Sequence, residues 1–336
     1  MSKPSDSKND IPSAANTLAF FQDLEPPAND FLQDALCGLS AAPKTMSPKY
    51  FYDQKGSQLF DAICDTQEYY VTRTEIDLLQ SLIPTLNKLA GPGADIVEYG
   101  SGASVKVRTL LEGLDDVSSY LAIDISRAHL INACRVLADD YPKIAIGAIC
   151  ADFTAPITLP AMSREKGRVV GFLPGSTIGN FAPKDAKEFL VRAAKMLGEG
   201  GALLMGVDLK KDPGILNAAY NDTQGVTAAF NLNLLTRMRG ELGAKLNQDN
   251  FQHRAFYNDD QGRVEMHLES KTEQTVQLDG KEFSFSAGET IHTENSYKYG
   301  LEEFAALAES AGFRAKHSWT DPKGLFSLHW LEVHTQ

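Results

Sequence analysis

From residue 95 the chain alternates short apolar runs with longer amphipathic ones, and few architectures accept that rhythm. Asp95-Ile96-Val97-Glu98-Tyr99 reads as a strand, Gly100 to Ala103 as a tight turn and Val105 to Leu114 as a helix. Tyr120 to Asp124 is a second strand, and Ser126 to Tyr141 a helix whose Leu130, Ile131, Ala133, Val136 and Leu137 share one face. Ile144 to Ile149, Val169 to Leu173 and Ala202 to Asp208 supply further strands, with a helix over Asp185 to Leu197 before the last. Strands this apolar need cover on both faces, and the helices between them provide it. The fold class is therefore α/β: a Rossmann-like, doubly wound parallel sheet with ligands at the carboxyl ends of its strands.

The rhythm breaks after Lys210. Residues 212 to 247 are helical in pattern, including Leu216 to Tyr220 and Gly225 to Leu242, whereas residues 252 to 285 show strand alternation, as in Arg263-Val264-Glu265-Met266-His267-Leu268. Leu301 to Ala311 is helical again, Gly312-Phe313 turns, and Phe326 to Val333 is a strand. Ahead of the sheet, residues 29 to 40 carry helical spacing, and two more helical stretches flank the aromatic turn Glu68-Tyr69-Tyr70. The division suggested is a disordered tail over 1–27, a main sheet domain over 75–210 completed by 298–336, and a second α+β domain from 28–74 and 211–297.

The 336 residues are 43% apolar and 23% charged, with a net charge of −12, an ordinary globular composition. The acidic balance, without clustered Lys and Arg, argues against a nucleic-acid partner. The longest apolar runs, such as Gly201 to Val207, fall far short of the roughly 20 residues a membrane helix needs, so no membrane role is expected. The start, MSKPSDSKNDIPSAAN, has no apolar segment after a basic one, unlike a secretory signal. Cys37, Cys64, Cys134 and Cys150 are spaced for neither a disulfide frame nor a zinc site. A cytoplasmic setting follows. His329 and His334 stand five apart, which matches no helical ligand pair, and no metal is expected.

Glu98-Tyr99-Gly100-Ser101-Gly102-Ala103-Ser104 is a Gly-rich turn of a kind shared by dinucleotide folds, methyltransferases and ligand-free loops. A pyrophosphate fingerprint asks for a third glycine where Val105 stands. Glu98 can instead meet a cationic amino-acid end, and Gly100 and Gly102 let backbone approach a sulfonium. Asp124, closing the second strand, is placed to accept from two ribose hydroxyls; Asp152, beside Phe153 after the third, is placed to accept from an adenine amino group. Each acid alone can equally be a solvated strand end or a helix cap. Together, at successive strand ends, they favour S-adenosylmethionine over NAD. FLPGSTIGNFAP, residues 172–183, then empties the fourth strand into glycines, hydroxyls and an amide. Such a loop brings backbone close to a ligand, or is simply a surface turn.

In order along the chain, YFYDQKGSQLFDAICDTQEYYVTRTEIDLL, VEYGSGASVKVRTLL, FLPGSTIGNF, AAYNDTQGVTAAFN and TENSYKY resemble the histidine-specific Nα-methyltransferases of ergothioneine biosynthesis. The resemblance covers roughly residues 28 to 336. It implies a class I methyltransferase fold with a second, substrate-binding domain, and conversion of L-histidine to hercynine with three molecules of S-adenosylmethionine as methyl donor. Carried over by motif, Tyr52 contacts the α-amino group and is the catalytic residue, Tyr69 lies near the imidazole, and Asn180 and Tyr220 hold the α-carboxylate. Gly175 offers backbone near the amine, Glu294 and Ser296 grip the ring nitrogens, and Met266 packs beside them. On the donor side it selects Gly100, Lys106, Asp124 and Asp152. A monomer with a small-molecule partner, L-histidine, is expected.

The chemistry suits these residue types. Methyl transfer from a sulfonium is an in-line displacement, dominated by positioning and desolvation. The nucleophile must be a neutral amine, which histidine mostly lacks at neutral pH, and a phenol such as Tyr52 can accept a hydrogen bond as the proton leaves. As methyl groups accumulate a fixed cation appears, which the aromatic faces of Tyr52 and Phe60 tolerate. A buried Glu294 without a ring N–H would be an unsatisfied charge, so an apolar side chain in place of imidazole loses about 1–3 kcal/mol or more. Taken singly, Glu294 and Ser296 could be exposed strand-end residues, and Met266 and the tyrosines plain packing. Two rival functions stay open at this level: methylation of another free amino acid, such as a tryptophan derivative, and a noncatalytic ligand-binding module.

Overall fold

The computed structural model describes residues 18–24, 29–102, 105–160 and 167–334. The first half of the chain runs β1 (Phe20–Asp23), α1 (Asn29–Ser40), β2 (Lys44–Thr45), α2 (Gln54–Cys64), α3 (Val71–Ala90), β3 (Ala94–Tyr99) and α4 (Val105–Gly113). It continues with β4 (Val117–Asp124), α5 (Arg127–Asp140), β5 (Ala145–Cys150), β6 (Val169–Leu173), α6 (Pro183–Leu197) and β7 (Ala202–Asp208). Every residue of β3 and β7 is buried, as strands covered on both faces must be.

The second half contains α7 (Pro213–Ala219), α8 (Val226–Leu242), β8 (Phe251–Asn258), β9 (Arg263–Ser270), β10 (Gln274–Leu278), β11 (Lys281–Phe285) and β12 (Thr290–Tyr297). It closes with α9 (Leu301–Glu309), β13 (Phe313–Thr320) and β14 (Phe326–Val333). The main sheet has the order β1-β5-β4-β3-β6-β7-β14-β13. Pairings from β1 to β7 are parallel, and β14 runs antiparallel to both β7 and β13. This is the doubly wound arrangement of a class I methyltransferase, as expected. The strand order reverses between β3 and β6, so the loops after those two strands flank the crevice where such sheets bind ligands.

β1 lies inside the stretch the sequence suggests as a disordered tail: it pairs in parallel with β5, Asp23 opposite Cys150. Residues 1–17 and 25–27 of that stretch lie outside the described residues.

A second sheet, β2-β12-β9-β8, gathers a strand from between β1 and β3 with strands from the insert. On β9, Val264, Met266 and Leu268 are buried in one core that also holds Ile96, Tyr120 and Val170 of the main sheet. The alternate residues Glu265, His267 and Glu269 face the other way, by the two-residue period of a strand. The insert therefore shares its core with one face of the main sheet, while α6 and α9 cover the other face around Phe189 and Phe304. Backbone joins the two sheets directly: Lys210 N–H donates to the Tyr299 carbonyl at 3.1 Å and Tyr299 N–H to the Asp208 carbonyl at 3.2 Å.

Candidate active site

The turn after β3 is shaped by its glycines. Gly100 and Gly102 have φ of 71° and 47°, a region that costs other residues energy. A Cβ on Gly102 would meet no atom within 4 Å, and one on Gly100 would lie 3.4 Å from the Phe153 ring. The bare backbone at Gly102 is open for a ligand, with Phe153 as a wall. Gly102 N–H donates to Asp124 Oδ2 at 3.2 Å and Ser126 N–H to Asp124 Oδ1 at 2.8 Å. Each oxygen keeps a lone pair for a further donor. Burial raises the Asp124 pKa, and these backbone hydrogen bonds oppose the rise.

The other acids differ. Asp152 spends Oδ1 on Thr154, taking its N–H at 2.9 Å and its hydroxyl at 2.6 Å in a tight turn that fixes Phe153. Glu98 is 1% exposed and accepts the Tyr120 hydroxyl at 2.5 Å. Burial pushes its carboxyl up to about 8, against the pull of that bond and of Lys106.

The loop after β6 is held from behind by Glu75 of α3. This carboxylate is fully buried; it accepts Gly175 N–H at 2.8 Å and pairs with Lys106 at 2.7 Å. It lies so close over β7 that a Cβ on Gly206 would fall 2.0 Å from it. Gly175 and Ser176 are both left-handed, with φ of 75° and 57°, and Ser176 Oγ accepts the Asp208 N–H at 2.9 Å. The 3-10 turn Thr177–Asn180 ends in half-buried Asn180. Within it Gly179 sits flush against β12: a Cβ there would come within 2.7 Å of the Tyr297 carbonyl oxygen.

Between the sheets runs a chain of aromatic rings. Tyr52 meets Phe60 at 5.9 Å and Phe230 at 5.8 Å, Phe60 meets Tyr69 at 6.4 Å, and Tyr69 meets Tyr220 at 6.4 Å, mostly edge to face. Burial holds the Tyr52 phenol well above its ordinary pKa, and the nearby charges of Glu294 and Asp124 add to the effect. One hydroxyl is thus within electrostatic reach of an acid on the second sheet and an acid on the first.

Glu294 and Ser296 stand on β12 just past an irregularity that begins at His292, and Glu294 lies opposite Met266 on β9. Burial pushes the Glu294 carboxyl up to about 7 although Lys298 draws it down. Ser296 Oγ accepts the Tyr220 hydroxyl at 2.8 Å and Lys298 Nζ at 2.8 Å. Lys298 also pairs with Asp208 at 2.8 Å, and Asp208 accepts the Tyr70 hydroxyl and Lys211. Burial would raise the Asp208 pKa, but Lys298 and Lys211 hold it below the ordinary carboxylate value.

The structure thus brings Tyr52, Phe60, Tyr69, Tyr220, Met266, Glu294 and Ser296 to one region of the interface and sets Gly100, Gly102, Asp124, Asp152 and Phe153 around one crevice. It buries Glu98 and ties Lys106 to Glu75. Phe230, Glu75 and Lys298 complete the arrangement and are absent from the residues selected by sequence. All three lie inside the quoted motifs, Lys298 in TENSYKY, Phe230 in AAYNDTQGVTAAFN and Glu75 in the stretch ending TRTEIDLL, so the motifs were their signal.

A metal has one cluster to consider among the described residues. Ligand atoms of Glu265, His267 and His292 lie within 4.8 Å of one another. The two imidazoles are stacked, centroids 4.5 Å apart at 20°, so ring faces rather than in-plane lone pairs oppose each other. Glu265 is also held by Arg263 at 2.8 Å. A cleft of about 810 Å³ beside Phe153, along Tyr99, Phe189 and Met196, is lined by neither Tyr52 nor any residue of β12.

Residues 31–333 match the model of the family described as histidine-specific methyltransferase, SAM-dependent. The chain is 42% identical over 323 residues to the histidine N-alpha-methyltransferase of Mycolicibacterium smegmatis, covering 94% of this chain and 98% of that one. Its identity to the histidine N-alpha-methyltransferase of Mycobacterium tuberculosis is 37% over 301 residues, 88% of this chain and 92% of that one. Ergothioneine biosynthesis protein 1 of Schizosaccharomyces pombe is 28% identical over 275 residues, 78% of this chain and 35% of that protein. With the sheet order, the glycine turn and the second sheet in agreement with a match along nearly the whole chain, this protein belongs to the SAM-dependent, histidine-specific methyltransferase family.

Proposed function

We propose that this chain transfers methyl groups from S-adenosylmethionine to the α-amino nitrogen of L-histidine, three in succession, giving hercynine as the first step of ergothioneine biosynthesis. The observation that carries this reading is the placement of the Tyr52 hydroxyl, on a run of rings through Phe60 and Tyr69 to Tyr220, which bonds Ser296 beside Glu294. The amino acid and the methyl donor then meet at that hydroxyl.

The donor, when bound, supplies an electrophilic methyl on a sulfonium. Asp124 accepts from its ribose, Gly100 and Gly102 admit it close to the backbone, and Phe153 walls the adenine beside Asp152. Lys106 acts by holding Glu75, and Glu98 by filling the layer beneath.

On the amino-acid side, Glu294 accepts a ring N–H and Ser296 meets the second ring nitrogen, with Met266 and Tyr69 packed alongside. Asn180 donates to the α-carboxylate and Tyr220 lies next to it. The Gly175 N–H is spent on Glu75, so its contribution to an amine is the carbonyl, the acceptor an N–H needs. Tyr52 is a neutral phenol at pH 7, as an ordinary tyrosine is, and burial with the nearby acids disfavours its ionisation further. Its oxygen accepts a hydrogen bond from the amine and orients the nitrogen lone pair toward the methyl. The faces of Tyr52, Phe60 and Phe230 then border the growing quaternary cation.

Incubating the purified protein with S-adenosylmethionine and a panel of amino acids that includes tryptophan derivatives, followed by mass spectrometry, tests the reading. Mono-, di- and trimethylhistidine are expected; their absence overturns it. Glu294→Ala is expected to weaken histidine use about tenfold or more while leaving donor binding in place.

A further inference from the structure

How Ser296 addresses a ring is decided by the protons behind it. Lys298 is 2% exposed, and an ammonium carries three protons and no lone pair. Asp208 at 2.8 Å, Ser296 Oγ at 2.8 Å and Tyr220 Oη at 3.2 Å take all three. Tyr220 in turn gives its hydroxyl proton to Ser296 Oγ at 2.8 Å, an order that suits a phenol, the more acidic hydroxyl, and an alkyl oxygen, the better acceptor. The serine oxygen therefore accepts twice, which fills both its lone pairs, and is left with its own proton to give.

We propose that Lys298 is a specificity-determining positioning residue: together with Tyr220 it commits the Ser296 hydroxyl to donating, so that Glu294 and Ser296 present one acceptor and one donor to the ring. That pattern complements a neutral imidazole, with one N–H and one bare nitrogen. It mismatches an imidazolium, with two N–H groups, and an indole, with one N–H and no bare nitrogen. Leaving the Ser296 proton without an acceptor, or facing it with another N–H, strands a buried polar group. Tyr220, its proton already spent on Ser296, has none left for the α-carboxylate, and Asn180 carries that bond. The inference rests on the histidine reading of this pocket.

The test uses rings with one bare nitrogen and no N–H. With S-adenosylhomocysteine present, Kd is measured by calorimetry for L-histidine, β-(thiazol-4-yl)-L-alanine and β-(thiazol-5-yl)-L-alanine. Ser296→Ala is expected to weaken L-histidine and one of the two thiazoles by about fivefold each. In a Lys298→Met background, where Asp208 keeps Lys211 and Tyr70, the hydroxyl is released and the same Ser296→Ala step is expected to cost under about twofold. Tyr220→Phe, which leaves the buried ion pair whole, serves as the background if Lys298→Met does not fold. Thiazoles indifferent to Ser296→Ala while L-histidine weakens, or equal Ser296→Ala losses with and without the second substitution, overturn the proposal alone. Failure of L-histidine itself to bind or to be methylated overturns the functional reading and this inference together.

Discussion

Because burial pushes the Glu294 carboxyl up to about 7 against the pull of Lys298, this side chain changes charge within the working pH range. Ionised, it accepts an N–H in a charge-assisted bond; protonated, it keeps only the weaker carbonyl acceptor. As pH falls through about 7 the stronger acceptor is lost, and near 6.5 an imidazole gains its second N–H. Both changes have the same sign, so KM for L-histidine is expected to rise as pH drops from about 8 to about 6, by about tenfold across the range, while KM for S-adenosylmethionine holds. Steady-state kinetics check this, and a flat histidine KM contradicts it. In the unliganded protein the folded pKa lies above the unfolded value of 4.5. The Glu294 contribution to stability is therefore present below about 4.5 and lost as pH rises through about 7. Asp124 carries the complementary prediction. Asp124→Ala removes an acceptor held by Gly102 and Ser126, and donor binding is expected to weaken about tenfold or more with little change for L-histidine. Equilibrium titration of both ligands decides it; equal losses contradict the assignment.

At the scale of elements, the 3-10 turn Thr177–Asn180 and β12 act as one unit because Gly179 lets them touch. A methyl at Gly179 would sit 2.7 Å from the Tyr297 carbonyl oxygen, a backbone atom that cannot swing aside. Gly179→Ala is expected to cost about 1–3 kcal/mol and to raise KM for L-histidine, since β12 carries Glu294 and Ser296. Gly240→Ala supplies the contrast. It is exposed in α8 with nothing within 4 Å of an added Cβ, and is expected to be neutral or to stabilise by up to about 1 kcal/mol. Urea unfolding of the two variants separates steric clash from helix propensity. The strands Val169–Leu173, Ala202–Asp208 and Phe326–Val333 were legible to the residue, being apolar runs between clear turn signals. β13 was not: Arg314, Lys316 and Ser318 take the exposed positions of its alternation, but Gly312 ahead of Phe313 reads as a turn. β1 and β2 have 4 and 2 residues, too short for any period to show, and exist because a neighbouring strand offers them an edge.

For the whole molecule, Asp208 is where the two sheets are fastened. It ends β7, is fully buried, and accepts from Tyr70 before α3, Lys211 beyond the strand and Lys298 beyond β12. Asp208→Asn leaves two buried ammonium groups without their counter-charge, and a loss of about 3–5 kcal/mol is expected. Tyr70→Phe removes a hydroxyl yet keeps both ion pairs, and should cost about 1 kcal/mol. Unfolding monitored separately by Trp fluorescence and far-UV circular dichroism checks both, and a small Asp208→Asn effect would show that the junction is held by apolar contact alone. The sequence by itself determined the doubly wound sheet, the glycine turn and the acids at the strand ends, because period, turn chemistry and strand-end position are set by residues near one another in the chain. Only the tertiary structure decided that Glu75 spends the Gly175 N–H, that Phe230 joins Tyr52 and Phe60, and that Lys298 orders the protons of Tyr220 and Ser296. Those outcomes depend on groups distant in the chain, 100 residues apart for Glu75 and Gly175 and farther for Tyr52 and Phe230, meeting in the fold, and no local pattern records which distant donor fills which lone pair.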